Sequence, residues 1–332
     1  MTAPIEPAPV DPVQVGTVQI ETVLPVAGPF DPAVFAFLAH RQITGVEVAD
    51  ERSYQRSMDC PYGHALMRVG WDGARIVLTA QLEDARDIAT VTAAARSLLD
   101  LDTDPRLPDA ALADDPVLGP AVRRRPGLRI GRSVEPHEML LRAMIGQQIS
   151  EAAARTALHR LAAHSPATRL PAPGIDRFFP DAAVVAAHGR TVLKGPGRRI
   201  EAVAATAERI ADGSLDLRRA ATTAELGAML LPLPGIGPWT VGYVALRWLG
   251  DPDVFLPGDV AVRNGLTRLA GAPARLSPAA VTAMARAWAP WRSWAVLHAW
   301  QAHLTSPAPT QERARQPARP RTASTWDRSA SS

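Results

Sequence analysis

Two short segments contain the residues best suited to chemistry, and the first is "LPGIGPWTVGY", residues 233–243. Gly235 and Gly237 lie close together there, and Pro238 precedes an apolar stretch that starts with Trp239. Glycine leaves the backbone uncovered, and proline suits the first turn of a helix. Free N–H groups at a helix N-terminus can bind a phosphate. The segment therefore predicts either a phosphate-binding hairpin or an ordinary tight turn between two helices.

The second segment, "DVFLPGDVAVRNGL", places Asp259 directly after Pro257-Gly258 at the start of an expected helix. An aspartate at such a position often only caps the helix. Arg263 follows one turn later, so a surface ion pair is another ordinary role for this carboxylate. In a cleft, the same carboxylate can stabilise positive charge that develops during a reaction.

Tryptophans cluster beside these two segments. Trp239 begins one helix, and "AWAPWRSWAVLHAW" near the end of the chain contains Trp288, Trp291, Trp294 and Trp300. Most tryptophans in proteins lie in the core or at its boundary. Aromatic residues make up only 5% of this chain, however. A carboxylate, a phosphate site and an aromatic cleft together are suited to holding a base that has been extruded from a nucleic acid.

Composition limits the alternatives. The 332 residues suffice for two or three domains, and 47% of them are hydrophobic. A net charge of +3 and a pI of about 9.6 permit an anionic partner without requiring one. Cys60 is the only cysteine, which excludes an internal disulfide, a thiolate zinc site and a four-cysteine iron–sulfur cluster. With neither a signal segment nor a membrane-length apolar run, we expect a cytoplasmic protein.

The elements that must position these residues change in kind along the chain. Residues 16–113 show a strand-like alternation, a helix after Asp31-Pro32, a hairpin turning at Asp72-Gly73 and a second helix, which indicate a small α+β domain. Residues 114–304 predict an all-helical body of two lobes. Residues 1–15 and 305–332 are rich in proline and polar residues, and we expect both segments to be disordered. The expected helices of the body are 135–163, 176–188, 197–211, 222–231, 238–249, 259–270 and 278–303.

The segment that runs from Leu233 to Asn264 resembles the helix-hairpin-helix DNA glycosylase motif with its Gly/Pro-rich loop and aspartate. "PGLRIGRSVEPHEMLLRAMIGQQIS" is similar to the DNA-facing segment of that superfamily. "FDPAVFAFLAHRQITGVEVADERSYQRSM" and "WAPWRSWAVLHAW" resemble the N-terminal domain and the last helix of its inducible 3-methyladenine DNA glycosylase II branch. The resemblance covers residues 15–303 and implies an α+β fold with a helix-hairpin-helix glycosylase body.

The resemblance also implies roles for individual residues. It places the catalytic carboxylate at Asp259 and implies a duplex-wedging role for Gln148. The other implied roles are Trp239, Tyr243 and Trp300 around the base pocket, Gly235, Gly237 and Thr240 at a DNA phosphate, and the carbonyls of Leu231, Leu233 and Ile236 around a monovalent cation.

Glycosylases that also cut the strand have a nucleophilic lysine where this chain has Trp239. Without an amine there, no Schiff base forms at that position. The resemblance therefore implies a monofunctional hydrolase that releases alkylated purines such as 3-methyladenine and 7-methylguanine. We expect it to act as a monomer on double-stranded DNA in the nucleoid, away from membranes and with no cofactor beyond the cation. Two alternatives remain at this point: a non-catalytic helix-hairpin-helix DNA-binding protein and a glycosylase–lyase.

Overall fold

A computed structural model describes residues 16–305 of the chain. The two end segments expected to be disordered lie outside these residues, apart from Thr305. Within the described part, no helix is both long enough and apolar enough to cross a membrane.

The first part of the chain forms a five-stranded antiparallel sheet in the order β1-β5-β4-β3-β2. The expected strand near the start and the hairpin that turns at Asp72-Gly73 are confirmed. In the last strand, buried residues alternate with half-buried ones because successive side chains point to opposite faces. The strands are β1 (Val18–Leu24), β2 (Glu47–Ala49), β3 (Ser53–Cys60), β4 (Gly63–Trp71) and β5 (Ile76–Leu82).

Helices form most of the remaining structure. The sheet packs against the first two helices, and the others follow the sheet in the chain. They are α1 (Ala33–Ala39), α2 (Ile88–Leu98), α3 (Arg106–Leu112), α4 (Gly119–Arg124), α5 (Pro136–Gly146), α6 (Glu151–Ala162), α7 (Ala182–Val192), α8 (Gly197–Ala211), α9 (Thr223–Leu230), α10 (Pro238–Val244), α11 (Val260–Leu269), α12 (Pro278–Ala285) and α13 (Arg292–Leu304). The α+β class is therefore confirmed.

The prediction that the body contains only helices is wrong. A two-stranded hairpin, β6 (Ala167–Ala172) and β7 (Ile175–Arg177), turns at Gly174, whose φ is +79°. It packs against the N-terminal sheet, where the Ser57 hydroxyl donates to the carbonyl of Arg177 at 2.6 Å. The helix expected from residue 176 begins only at Ala182, because residues 175–177 pair as the second strand of this hairpin and Pro180 disfavours helical backbone at the residue before it.

Two other expected helices are each broken into two. The helix expected over residues 135–163 ends at Gly146, and α6 starts after Ser150, whose hydroxyl accepts from the Ala153 N–H at 3.2 Å. The helix expected over residues 278–303 is interrupted before Pro290, which cannot donate a helical hydrogen bond. The first break matters for function because it creates an exposed loop beside the glycine-rich hairpin.

A π-helical turn, Ala245–Leu249, continues α10. Such turns insert an extra residue into a helix and are frequent at functional sites. Here the turn places Arg247 in the interior, where only 5% of the residue is exposed.

Candidate active site

The glycine-rich hairpin joins α9 to α10. A capping box between Thr222 and Glu225 starts α9, and Pro238 occupies the first turn of α10 as the sequence predicts. Gly235 has a φ of +78°, which other residues rarely adopt, so the turn requires glycine there. The backbone of this turn is exposed at Gly235.

Gly237 is glycine for a different reason. Its φ of −122° and ψ of −179° are extended and open to any residue. A Cβ added there would meet no atom within 4 Å. Neither backbone strain nor internal packing explains this glycine, whereas close approach of an external group to the hairpin would.

The loop between α5 and α6 is fastened to this hairpin. The amide of Gln147 donates to the carbonyl of Gly235 at 3.1 Å and to the hydroxyl of Thr240 at 2.8 Å. Arg199, from α8, donates to the carbonyl of Gln147 at 2.7 Å. Thr240 is itself buried, with 1% of the residue exposed. Its hydroxyl therefore faces the protein, and an external phosphate could reach only the main chain near it.

Gln148 is an exposed residue of the same loop. Its φ of +60° is unusual for a residue with a side chain. Holding such a conformation requires support from the surroundings. The hydrogen bonds of Gln147 supply part of that support, so Gln148 is presented at the surface beside the hairpin. Gln147 was not among the predicted site residues, although it lies in the quoted Gly-Gln segment.

Asp259 caps α11, as its ordinary role predicts, but this accounts for only one of its oxygens. Oδ1 accepts from the Val262 N–H at 2.9 Å. Oδ2 accepts from the indole N–H of Trp239 at 3.0 Å, and the indole N–H of Trp300 lies 3.4 Å from Oδ1. Arg263 donates instead to the carbonyl of Leu276, so the expected surface ion pair does not form. Three N–H donors thus hold this carboxylate in place.

Aromatic rings form the wall next to this carboxylate. Trp239 and Tyr243 stack with ring centres 5.1 Å apart, and Tyr243 meets Trp300 edge to face at 6.0 Å. Phe37, from α1 of the N-terminal part, stacks on Trp300 at 5.6 Å. Trp288 and Trp294 lie in the core, and Trp291 packs against it. Phe37 was missed because it belongs to a helix far away in sequence.

A cavity of about 460 Å³ opens between these groups. Asp259, Trp239, Tyr243 and Trp300 all line it, together with residues of α1, α5 and α6. This volume lies within the range of small-molecule binding pockets. The structure therefore brings together the predicted carboxylate and the three predicted aromatic residues around one cavity.

A buried charge network lines another part of the cavity. Arg56 makes a two-pronged contact with Glu138, at 2.8 and 3.1 Å, and Arg142 contacts both Glu138 and Glu47. Burial alone would raise the pKa of Glu138, but the charges of Arg56 and Arg142 outweigh it and hold that pKa at about 2. The hydroxyl of Tyr54 bonds to Glu47. The network ties the sheet to α5, so both parts of the chain build the cavity.

The predicted cation ligands lie on the hairpin. Leu231 ends α9, and its N–H donates to the carbonyl of Gly227 at 3.0 Å. The carbonyl of Leu233 accepts a hydrogen bond of 3.3 Å from the Ile236 N–H. Neutral carbonyl oxygens at the end of a helix lack helical partners and are suited to a hard cation. Their role as ligands stays a prediction.

The chain is similar to several known proteins. A family model for the AlkA N-terminal domain matches residues 21–135. The chain is 36% identical over 296 residues to a probable bifunctional transcriptional activator/DNA repair enzyme AlkA of Mycobacterium tuberculosis. That match covers 87% of this chain but 59% of the relative, so the chain spans about three-fifths of its length.

The fold also matches solved structures. A 3-methyladenine DNA glycosylase from Archaeoglobus fulgidus aligns with a TM-score of 0.71 at 18% identity, covering 86% of this chain and 98% of that one. An 8-oxoguanine glycosylase/lyase from Clostridium acetobutylicum aligns with a TM-score of 0.64 at 16% identity, covering 85% and 96%. At these identities the likeness establishes the fold alone.

A further relative covers nearly its whole length. The chain is 33% identical over 285 residues to DNA-3-methyladenine glycosylase 2 of Escherichia coli, and the match includes 82% of this chain and 94% of that protein. The chain therefore belongs to the AlkA family of DNA-3-methyladenine glycosylases.

Proposed function

We propose that this protein is a monofunctional DNA glycosylase that flips alkylated purines out of double-stranded DNA and hydrolyses their bond to deoxyribose. The observation that carries the proposal is Asp259, whose carboxylate is fixed by the indole N–H of Trp239 at the edge of the aromatic cavity. A helix cap needs only one carboxylate oxygen. The second oxygen points to the cleft wall at Trp239, which we interpret as the position of a carboxylate that acts on a substrate.

Binding begins at the hairpin. The open backbone around Gly237 can approach a phosphate closely, and the N–H groups there attract its charge. In this proposal Gln148 fills the gap that a flipped nucleotide leaves; its exposure and its φ of +60° support that role. Extruding a base costs a few kcal/mol, and these contacts offset that cost. A monovalent cation held by the carbonyls of Leu231, Leu233 and Ile236 would add positive charge near the phosphate.

The aromatic wall then holds the damaged base. Alkylation at N3 or N7 gives a purine a positive charge, and an indole face attracts such a cation by about 0.5–2 kcal/mol. Trp239, Tyr243 and Trp300 supply such faces in the cavity. The charge also makes the base a good leaving group, so no dedicated general acid is needed.

Asp259 acts on the sugar. As the bond to the base breaks, positive charge develops on the deoxyribose ring, and a nearby ionised carboxylate stabilises it. The same carboxylate can orient the attacking water. Hydrogen bonds from Trp239 and Val262 keep Asp259 in position, so little reorganisation is needed during the reaction.

The position of the lysine side chain supports a mechanism without a lyase step. The printed sequence contains a single lysine, Lys194. It lies in the exposed loop between α7 and α8 and is not among the residues that line the cavity. With Trp239 at the hairpin position, no lysine amine in the cavity can attack the sugar, and the product is an intact strand with an abasic site. We further propose that the protein acts as a monomer in the nucleoid.

The test is to incubate the protein with methylated DNA and identify the released bases by chromatography. We expect 3-methyladenine and 7-methylguanine from the wild type and little of either from Asp259→Asn. Asp181→Asn is the matched control, because Asp181 caps α7 with the same geometry, at 2.8 Å from the Val184 N–H, but does not line the cavity. Equal release by all three proteins would exclude Asp259 as the catalytic group. No release by the wild type would exclude the proposal and favour a non-catalytic DNA-binding protein.

A further inference from the structure

Arg247 is a buried cation that the proposed mechanism does not use. The π-helical turn places it in the interior with 5% of the residue exposed, yet it lines the cavity. Its Nη1 donates to the hydroxyl of Tyr243 at 3.2 Å, and within the described residues its buried Nε finds no hydrogen-bond partner. Burial lowers its pKa, but an arginine remains charged.

Within residues 16–305, the groups that face this charge are aromatic rings and other arginines. The guanidinium lies 4.6 Å from the centre of the Phe37 ring, and Arg41 covers the same ring at 3.8 Å. Arg41 is paired with Glu151, and Arg142 is paired with Glu47 and Glu138.

Arg247, by contrast, forms no ion pair with any carboxylate of residues 16–305. The cavity consequently has an anionic end at Asp259 and a cationic group at Arg247. A buried unpaired charge is costly for a protein to hold, which points to a role with a ligand.

A cation in the pocket affects charged and neutral bases in opposite ways. It repels a base made cationic by alkylation, and such a base leaves as a neutral molecule that needs no help. A neutral oxopurine leaves as an anion, whose charge is shared with the oxygen at C6. A guanidinium close to that edge stabilises the anion as it forms, as a preorganised donor does for any developing negative charge.

We propose that Arg247 is a specificity-determining residue that lets this enzyme release neutral 6-oxopurines, such as hypoxanthine, by stabilising the departing base. The inference rests on the glycosylase function proposed above. The C1′–N9 bond breaks and both of its electrons leave with the base. The sugar cation takes a water oxygen and releases a proton, and the hypoxanthine anion takes up a proton from solvent.

The experiment compares single-turnover release of hypoxanthine and 7-methylguanine from duplexes that carry one lesion each. Both bases have the C6 oxygen, but only 7-methylguanine is cationic. Arg247→Met should slow hypoxanthine release about 100-fold and leave 7-methylguanine release unchanged or faster. Arg247→Lys, which keeps a positive charge, should recover part of the hypoxanthine rate.

Tyr243→Phe tests whether Arg247 acts only by holding Tyr243 in position, since this substitution removes only the hydroxyl that Arg247 contacts. A selective loss in Arg247→Met that Tyr243→Phe does not reproduce supports the proposal. Equal slowing of both bases in Arg247→Met, the same selective loss in Tyr243→Phe, or a wild type that releases only 7-methylguanine overturns it. A wild type that releases neither base refutes the glycosylase function itself.

Discussion

Replacing Asp259 by asparagine should have two separable effects. In the wild type one oxygen accepts from the Val262 N–H at 2.9 Å and the other from the Trp239 indole at 3.0 Å. Asparagine has a single acceptor oxygen. Whichever way its amide turns, the NH₂ group faces one of these two donors, so one hydrogen bond is lost along with the charge.

One effect is on the free energy of folding and the other is on the rate of base release. A half-buried donor left without its charged acceptor costs about 1.5–3 kcal/mol of folding free energy. The missing charge at the developing sugar cation should slow base release by about 100- to 1000-fold, or about 2.7–4 kcal/mol of transition-state stabilisation. The stability loss appears in denaturant unfolding, and the rate loss appears in single-turnover release of 7-methylguanine.

Trp239→Phe distinguishes the two effects, because it removes the indole donor and keeps a ring to stack on Tyr243. In that background the asparagine can turn its oxygen toward Val262. The double variant should therefore regain most of the stability that Asp259→Asn loses and should stay slow. A double variant with the rate of Trp239→Phe alone, or an asparagine variant within threefold of the wild-type rate, would refute the charge argument.

Three further predictions follow from the same structure. Gly237→Asp should leave the melting temperature unchanged but sharply weaken binding to a short DNA duplex in a gel-shift assay, because the added carboxylate repels a phosphate. Gly235→Ala should instead lower the melting temperature, since its φ is +78° and an added Cβ would lie 3.0 Å from Ala202. Borohydride should trap no covalent adduct with DNA, and strands should stay unbroken; an adduct at Lys194 would contradict the monofunctional assignment. Burial lowers the pKa of His298 from 6.5 to about 4. As the pH falls from 6.5 toward 4, the unfolded state therefore binds a proton at His298 and the folded state does not, so the free energy of unfolding decreases. When the pH is lowered from 7 to 5, the unfolding free energy of His298→Phe should decrease by roughly 2 kcal/mol less than that of the wild type. Equal decreases in urea titrations would show that another group causes the loss of stability at acid pH.

Local patterns predicted the parts of the site that local sequence determines. A proline after glycines, an aspartate after Pro-Gly and an Asp-Gly turn between alternating strands each act through the backbone of a few residues, and the structure has helices or a hairpin at all three places. The contact between Trp239 and Asp259 joins residues 20 apart, and no local pattern shows it.

The errors have a common physical cause. The single helices expected over 135–163 and 278–303 contain the stops at Gly146-Ser150 and Pro290, but apolar periodicity continues across them. Phe37 stacks on Trp300 and Arg247 lines the cavity only through tertiary packing, and a π-helical turn changes the helical phase by one residue. A strict period of 3.6 residues cannot anticipate such a phase change.

The hydrogen bonds of Gln147 to Gly235 and Thr240 have a consequence for how the protein searches DNA. They fasten the loop that carries the exposed Gln148 to the hairpin, so the distance between the hairpin backbone and Gln148 is fixed. With the roles proposed above, a hairpin bound to a phosphate brings Gln148 to the duplex at a fixed offset along the strand. Each advance of the hairpin by one phosphate would then bring one new base pair to Gln148. The protein would need no separate step to align Gln148 with a base pair.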